Sequence, residues 1–515
     1  TTNLHFSLMF LLLSCIVAVL GGLAILRLFF FKPLTDKGRP LPPFAGPGML
    51  TTVSKLTTIA DLSALTFLHD VSREVTGIGR TTYGTVFRIN MPQKLPYIVT
   101  TDYKLARLVV EGNSKESISE ADKTRTVRAF DYTSTPSILT NQTSSNVHHR
   151  SRKHIAVSFS SKNLEYTQSV IKNCLRTFGS ILSRKAENTE SFMLDNDMIR
   201  LTLDIISESA FGFNFNTMVH SDDNMGEFYM HENELFLKEA ASSALNPLRK
   251  FMFWASDRRR AMKARENLME MAHNLIKSHR QKHMLENGDV NDDDKSIMGR
   301  LMSYEYESED SRAHDILIML LGGHETSSHT VSYLILSLLR NPEAKARLQQ
   351  ELDECIRAEA LEDTSLLSCA DVMNLPFLAQ CIKESMRLWS VIGGGLKRVL
   401  SNDIHYEGLF LPKGSTFQSA LYSTTRQPWI DRPEEFLPER WTDSNPQHAQ
   451  LKEMLIPFGA GKRQCIGQNL AKMEVALIAA YTLRFFDFEI VADPVDQIFL
   501  TVKPVDMKVL ATRRV

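Results

Sequence analysis

The chain has 515 residues, of which 43% are hydrophobic, so it can bury one very large core or several ordinary ones. Its 59 lysines and arginines nearly balance its 60 aspartates and glutamates. This balance gives no reason to expect a nucleic-acid partner, because a phosphate backbone attracts an excess of positive charge. The six cysteines are few for this length and form no CxxC pair, which argues against a zinc cluster or a redox dithiol.

The first predicted element is an apolar stretch over residues 4–26. It is long enough to cross the hydrocarbon core of a bilayer, which takes about 20 residues. A cleaved signal peptide is the alternative, but its apolar core spans only about 7–15 residues. Four lysines and arginines follow between residues 27 and 39, which places the rest of the chain in the cytoplasm. We predict a transmembrane anchor over 1–31 and a Pro/Gly-rich hinge over 32–50.

Beyond the hinge, long helical periodicity dominates, and short β-like stretches occur at 83–91, 96–101 and 403–410. This pattern predicts a mainly α fold with small β-sheets, an α+β architecture. A patch at 248–254 combines aromatic and basic residues and is followed by three arginines at 258–260. Such a patch is typical of a surface that dips into a bilayer interface, and equally of the buried start of a helix.

A long helix is predicted over 315–340, and its middle carries Gly322, Gly323, Glu325 and Thr326 between apolar turns. Small residues beside an acid and an alcohol suggest a groove with polar chemistry. Alternatively, the Thr326 hydroxyl bonds back to a carbonyl one turn earlier and has only a local role. The sequence of this helix alone leaves both interpretations open.

The segment 458–467, FGAGKRQCIG, precedes a predicted helix of about 19 residues and places Cys465 at its N-terminus. The helix dipole, together with Lys462 and Arg463, favours the thiolate form of this cysteine, and a thiolate is the form that binds iron. Gly461 and Gly467 permit tight turns and close approach to a flat cofactor, and Phe458 can pack beside the sulfur.

This segment resembles the haem-binding loop of the cytochrome P-450 family, where Phe, Gly, Arg, Cys and Gly occupy positions 1, 4, 6, 8 and 10. All five positions match here. The resemblance implies haem b, with Cys465 as the axial ligand of the iron and Arg463 as the partner of a haem propionate. It also implies the fold of this family for 51–515 as one haem domain.

Two further motifs resemble the family. The residues from Gly322 to Ser327 resemble its distal helix, with glycine where alanine is more usual. This resemblance implies that Glu325 and Thr326 are catalytic and relay protons for the cleavage of dioxygen. Glu384 and Arg387 resemble the ExxR motif, and Arg440 lies where an arginine completes a buried Glu-Arg-Arg network, which is a structural role.

Two weaker matches concern the haem edge. Segment 391–398 matches a strand beside the haem and offers Lys397 or Arg398 to a propionate, although a triple glycine stands where relatives tend to have prolines. In 148–159, His148 replaces the usual tryptophan, and His148 and Arg152 could donate to propionates. A basic surface helix is the alternative. The predicted substrate pocket consists of Leu317, Leu320, Leu321, Gly322, Val391, Ile392 and Gly393.

The resemblance therefore predicts an oxidoreductase of the microsomal eukaryotic type. It would insert one oxygen atom from O2 into a small apolar substrate, with electrons from NADPH-cytochrome P-450 reductase and cytochrome b5 as a further donor. We expect a single-pass protein of the endoplasmic reticulum membrane that contacts lipid and has its haem domain in the cytoplasm. An isomerase or dehydratase that acts on a peroxide without O2, and a non-catalytic haem sensor, are the alternatives.

Overall fold

The computed structural model describes residues 85–89, 95–112, 130–143, 145–160, 164–219, 225–245, 249, 252–287, 296–392, 395–498 and 501–514. The predicted anchor (1–31) and hinge (32–50) lie outside these residues, as does the start of the predicted haem domain. Among the helices that the structure describes, none is long and apolar enough to cross a membrane.

The described chain is mainly helical, as the periodicity of the sequence predicts. Its α-helices are α1 (Tyr103–Glu111), α2 (Asn146–Ala156), α3 (Glu165–Glu187), α4 (Leu194–Phe211), α5 (Met225–Leu245), α6 (Ser256–Asn287), α7 (Ile297–Ser303), α8 (Glu309–Leu339), α9 (Pro342–Cys355), α10 (Cys369–Met373), α11 (Pro376–Leu388), α12 (Leu421–Thr424), α13 (His448–Met454) and α14 (Gln468–Phe485). Short 3-10 turns occur at Val157–Phe159, Ala358–Leu361, Thr364–Leu366, Pro438–Trp441 and Gly461–Arg463.

The strands of the described residues are short and form four small sheets. They are β1 (Val86–Ile89), β2 (Tyr97–Thr100), β3 (Ser191–Met193), β4 (Leu396–Val399), β5 (Ile404–Tyr406), β6 (Leu409–Leu411), β7 (Thr416–Ser419), β8 (Phe486–Ala492), β9 (Val495–Ile498), β10 (Val502–Val505) and β11 (Lys508–Arg513). The largest sheet has the order β1-β2-β7-β4, with β2 and β7 parallel and its other pairs antiparallel. A second has the order β3-β11-β8, and β5-β6 and β9-β10 are antiparallel pairs.

Helix α8 forms the centre of the fold and packs against α4, α6 and α14. It begins six residues before the predicted start, because Ser308 caps it by accepting a hydrogen bond from the Ser311 amide, with Glu309 and Asp310 in its first turn. It ends just before Pro342, which starts α9. Its leucines and isoleucines belong to the main hydrophobic core together with those of α4 and α14.

Candidate functional site

The burial of α8 is interrupted at one point. From Arg312 to Leu338 its residues are buried, except at Gly322, Gly323, Glu325 and Thr326. These four are the residues that the sequence singles out as the polar groove. An accessible acid and alcohol inside an otherwise buried helix occur where chemistry, and not packing, determines the side chain.

The two glycines have different surroundings. A Cβ at Gly323 would lie 2.5 Å from Cγ1 of Ile206, so this glycine allows α8 to pack closely against α4. At Gly322, apart from its chain neighbours and the adjacent backbone of α8, no heavy atom of the described residues lies within 4 Å of the Cβ position. One turn later, Thr326 Oγ1 donates a hydrogen bond to the Gly322 carbonyl at 2.9 Å. This is the back-bond that the sequence offers as an alternative role for Thr326, and it still leaves the hydroxyl oxygen able to accept a hydrogen bond.

Glu325 has a partner that the sequence did not predict. The Thr501 hydroxyl, which precedes β10, donates to Glu325 Oε2 at 3.1 Å. Glu325 also lies near two buried phenols, Tyr132 and Tyr229. Burial raises the pKa of Tyr132, and the charge of Glu325 raises it further. Burial also raises the pKa of Tyr229, with smaller contributions from Tyr132 and Glu325. No local pattern signals these contacts, because the two hydrogen-bonded residues are 176 positions apart in the chain.

The loop that carries Cys465 is closed by a hydrogen bond from the Cys465 amide to the Phe458 carbonyl at 2.8 Å. Gly459 and Gly461 have φ values of 69° and 63°, a region that favours glycine. A Cβ at Gly461 would lie 2.4 Å from the Glu111 carbonyl oxygen, so this glycine admits the end of α1. Gly467 caps α14 and lies against Phe159. Among the described cysteines, Cys465 alone is exposed.

Two arginines of this region bond to protein groups. Arg463 donates from Nε to Thr143 Oγ1 at 2.7 Å, and it also contacts the carbonyls of Ile138 and Asn141. Arg152 donates to the carbonyl of Gln464, next to Cys465. Burial lowers the pKa of Arg152, and the nearby Cys465 opposes this effect. Both arginines thus lie beside the Cys465 loop, and their role toward a propionate stays a prediction.

Lys397 and Arg398 on β4 supply the clearest test of whether haem fits. Burial lowers the pKa of Lys397 and lowers that of Arg398 to about 10. Arg398 donates to the Lys397 carbonyl at 2.9 Å, and no carboxylate of the described residues pairs with either cation. Arg398 is only 3% exposed and Lys397 is half-buried, and a buried cation is costly without an anion. The two propionates of haem b are suitable anions, so these residues fit the cofactor.

The remaining residues predicted for the haem site and the substrate pocket differ in how deeply they are buried. His148 is buried on the face of α2 that also carries Ser151 and Ile155. Val391 and Ile392 are half-buried, while Gly393 lies outside the described residues. Three leucines of α8 predicted to line the pocket are at most 3% exposed and belong to the main core, where they pack against protein: Leu317, Leu320 and Leu321.

The structure brings the predicted Glu-Arg-Arg residues together. Arg387 binds Glu384 through Nε at 2.9 Å and Nη2 at 2.8 Å, and Arg440 donates to the same carboxylate at 3.0 Å. The sequence did not reveal two further donors, the Trp441 indole at 2.9 Å and the Leu437 amide at 3.1 Å. Arg387 also donates to the carbonyls of Thr425, Pro433 and Glu435, which joins α11 to the segment that follows α12.

Comparisons with known proteins agree with this geometry. A family model described as Cytochrome P450 matches residues 72–509. The chain is 28% identical over 483 residues to cytochrome P450 monooxygenase lcsI of Purpureocillium lilacinum, across 91% of this chain and 86% of that protein. Averantin hydroxylase of Dothistroma septosporum is 27% identical over 465 residues, 88% of this chain and 81% of that protein. A crystal structure of a cytochrome P450 (CYP102L1) has a similar fold, with a TM-score of 0.75 at 20% identity over 86% of this chain and 98% of that chain.

Proposed function

Since this chain belongs to the cytochrome P450 family of haem-thiolate monooxygenases, we propose that Cys465 is the axial ligand of its haem b iron. The observation that carries this assignment is the exposure of Cys465 in a loop closed by its own amide, while the other described cysteines are buried or half-buried. An exposed sulfur just before α14, next to Lys462 and Arg463, is suited to the thiolate form.

The proposed haem site uses residues on both sides of this loop. Arg398 holds a propionate, because its buried guanidinium has no carboxylate partner among the described residues, and the half-buried Lys397 is the alternative donor. Arg463, Arg152 and His148 are further donors to the cofactor, while Phe458, Gly461 and Gly467 shape the loop around the sulfur. Bound haem supplies the activation of dioxygen, which side chains alone do not perform.

In the proposed reaction, one oxygen atom from O2 enters an apolar organic substrate. Thr326 uses its hydroxyl proton on Gly322, so its oxygen accepts a hydrogen bond from water. Glu325 takes and releases protons at its carboxylate beside this water. The gap around Gly322, with Val391 and Ile392, gives room for substrate, and averantin hydroxylase is a relative whose name describes a hydroxylation. In this proposal, Leu317, Leu320 and Leu321 do not line the pocket directly and form only the wall behind the gap.

The electrons are proposed to come from NADPH through a separate cytochrome P450 reductase, with cytochrome b5 as a second donor. The Cys465 side of the molecule carries the exposed cations Lys153, Lys452 and Lys462, which suit an acidic partner. If they do bind it, reduction will slow as ionic strength rises, and Lys462→Glu will slow it more than Lys263→Glu on α6. Equal effects of the two substitutions would contradict this docking face.

We also propose that the protein is a single-pass protein of the endoplasmic reticulum membrane with its haem domain in the cytoplasm. Support comes from Phe253 and Trp254, which are 72% and 61% exposed beside the exposed Arg259 and Arg260. Exposed aromatics next to arginines suit an anionic lipid surface. In vesicles of brominated lipid, the tryptophan fluorescence of the full chain should be partly quenched. Trp254→Phe should abolish this quenching, whereas the control Trp429→Phe should leave it in place. Quenching that persists in Trp254→Phe would contradict lipid contact.

The haem assignment is tested by the difference spectrum of the dithionite-reduced protein with and without carbon monoxide. We expect a strongly red-shifted Soret band, because this band reports the ligand opposite carbon monoxide. Cys465→Ser should abolish the band, and the control Cys355→Ser, at a half-buried cysteine of α9, should keep it. A band typical of histidine ligation, or one that survives in Cys465→Ser, would overturn the assignment.

A further inference from the structure

The antiparallel pair of strands β9 and β10 is attached to α8 at two places. Thr501 Oγ1 donates to Glu325 Oε2 at 3.1 Å, and Tyr333 Oη donates to Asp496 Oδ1 at 2.9 Å. Glu325 and Tyr333 lie about two helical turns apart along α8, and their side chains differ by about 80° in direction around its axis. The Val502 amide also donates to the Val391 carbonyl at 2.8 Å, so the hairpin has a fixed position beside the gap in α8.

The Thr501–Glu325 bond joins a buried hydroxyl to a half-buried carboxylate, and a lysine lies nearby. Thr501 is only 3% exposed. Lys503 lies two residues further along the hairpin, and it is close enough to α8 that burial and the Lys503 charge lower the pKa of His329. His329 follows Glu325 by one helical turn. A hydroxyl donor held in such a site has few alternative partners, so its bond to the carboxylate is strongly directed.

We propose that Thr501 is a positioning residue for proton delivery, because its hydroxyl fixes the orientation of the Glu325 carboxylate beside Thr326. This inference rests on the proposed role of Glu325. A glutamate side chain has several rotatable bonds, and a bond from a buried hydroxyl selects one arrangement before the reaction starts. The hairpin is therefore part of the oxidation machinery and not merely a cover over α8.

The efficiency of proton delivery determines how dioxygen is reduced when no substrate is added. With timely proton delivery, O2 takes four electrons and four protons and gives two molecules of water. With poor delivery, O2 takes two electrons and two protons and leaves as hydrogen peroxide. NADPH supplies the electrons through the reductase in both cases. The amount of hydrogen peroxide formed per NADPH consumed therefore reports the proton delivery that Glu325 supports.

The test compares Thr501→Val, which has nearly the same shape but no hydroxyl, with Thr501→Ser, which keeps the donor. Tyr333→Phe is the matched control, since it breaks the other bond between the hairpin and α8 without touching Glu325. Glu325→Gln, alone and with Thr501→Val, completes a double-mutant cycle. Two readouts are recorded for each protein: hydrogen peroxide per NADPH without added substrate, and the infrared C–O stretch of the carbon monoxide complex, which senses the local electric field.

We expect Thr501→Val to raise the peroxide fraction by at least about twofold toward that of Glu325→Gln, and to shift or broaden the C–O stretch. Thr501→Ser and Tyr333→Phe should resemble the wild type, and Thr501→Val should add nothing in the Glu325→Gln background. The proposal is overturned if Tyr333→Phe acts as strongly as Thr501→Val, or if Thr501→Val changes neither readout. Thr501→Ala replaces Thr501→Val if the latter binds less haem. Failure of the proposed function is separate, because it appears as a missing red-shifted Soret band in the wild type.

Discussion

Within the part of the chain that the structure describes, two glutamates are almost completely buried, and the groups around them differ. Glu384 on α11 is 0% exposed and receives hydrogen bonds from Arg387, Arg440, the Trp441 indole and the Leu437 amide. Glu474 on α14 is 2% exposed and accepts a hydrogen bond from the Ser327 hydroxyl. Its Oε1 has no hydrogen-bond partner within the described part of the chain. Burial is thus nearly equal, while the number and charge of the donors are not.

The difference shows that donors, and not burial alone, decide what a buried carboxyl group does. At Glu384 two guanidinium groups balance the negative charge, and the network joins distant segments. At Glu474 burial raises the pKa to about 8, and the bond from Ser327 opposes this shift only in part. The first glutamate therefore braces the fold as an ion pair, whereas the second holds a proton at neutral pH.

The largest expected effect comes from breaking the balanced network. Glu384→Gln keeps the size of the side chain but leaves the buried guanidinium groups of Arg387 and Arg440 without their anion. Removing one partner of a buried ion pair typically costs about 3–5 kcal/mol. We expect the free energy of unfolding in urea to fall by this amount, together with a loss of bound haem.

Glu439→Gln is the matched control for this substitution. Glu439 lies in the neighbouring 3-10 turn and pairs with Arg347 at 2.8 Å, but both side chains are more than half exposed, at 53% and 54%. Such a pair contributes less than about 1 kcal/mol. If the two substitutions lowered the stability equally, the special role of the Glu384 network would be wrong.

The sequence predicted those parts of the molecule in which the chemistry is local. The spacing around Cys465 identified the loop, and the periodicity identified both α8 and α14, although α8 begins six residues before its predicted start. The Glu384–Arg387 pair was also readable, because three residues separate the two side chains on one helical face. The comparison with the cytochrome P450 family confirms the fold class and the cofactor that these motifs imply.

Contacts between distant segments could not be predicted in this way. Thr501 approaches Glu325 only because the β9-β10 hairpin packs on α8, and no periodicity encodes that packing. The apolar stripe that contains Leu317 suggested a groove, but α8 is covered on nearly all sides, so this leucine belongs to the core. Gly461 matches the motif, yet its missing side chain makes room for the end of α1, 350 residues away.

Glu474→Gln should give an effect of opposite sign, which is close to zero at pH 5 and reaches a similar size only near pH 8. The carboxyl group has a pKa of about 8 in the folded protein and 4.5 as an ordinary glutamate, so the folded chain binds more protons than the unfolded chain between these values. Stability therefore falls as the pH rises from about 4.5 to about 8. Each unit of pKa difference between the folded and unfolded chain corresponds to about 1.4 kcal/mol, so the loss of stability amounts to a few kcal/mol. Gln is neutral throughout and avoids this loss.

We therefore expect Glu474→Gln to match the wild type within about 1 kcal/mol at pH 5 and to exceed its stability by a few kcal/mol at pH 8, measured by urea unfolding. Ser327→Ala should extend the loss of stability to higher pH, because it removes the hydrogen bond that lowers the pKa of Glu474 in the folded protein. Parallel stability curves for the wild type and Glu474→Gln would show that this carboxyl group does not hold its proton. The contrast with Glu384 would then reflect geometry alone, and a buried glutamate with a single hydroxyl donor would suffice as a structural anion.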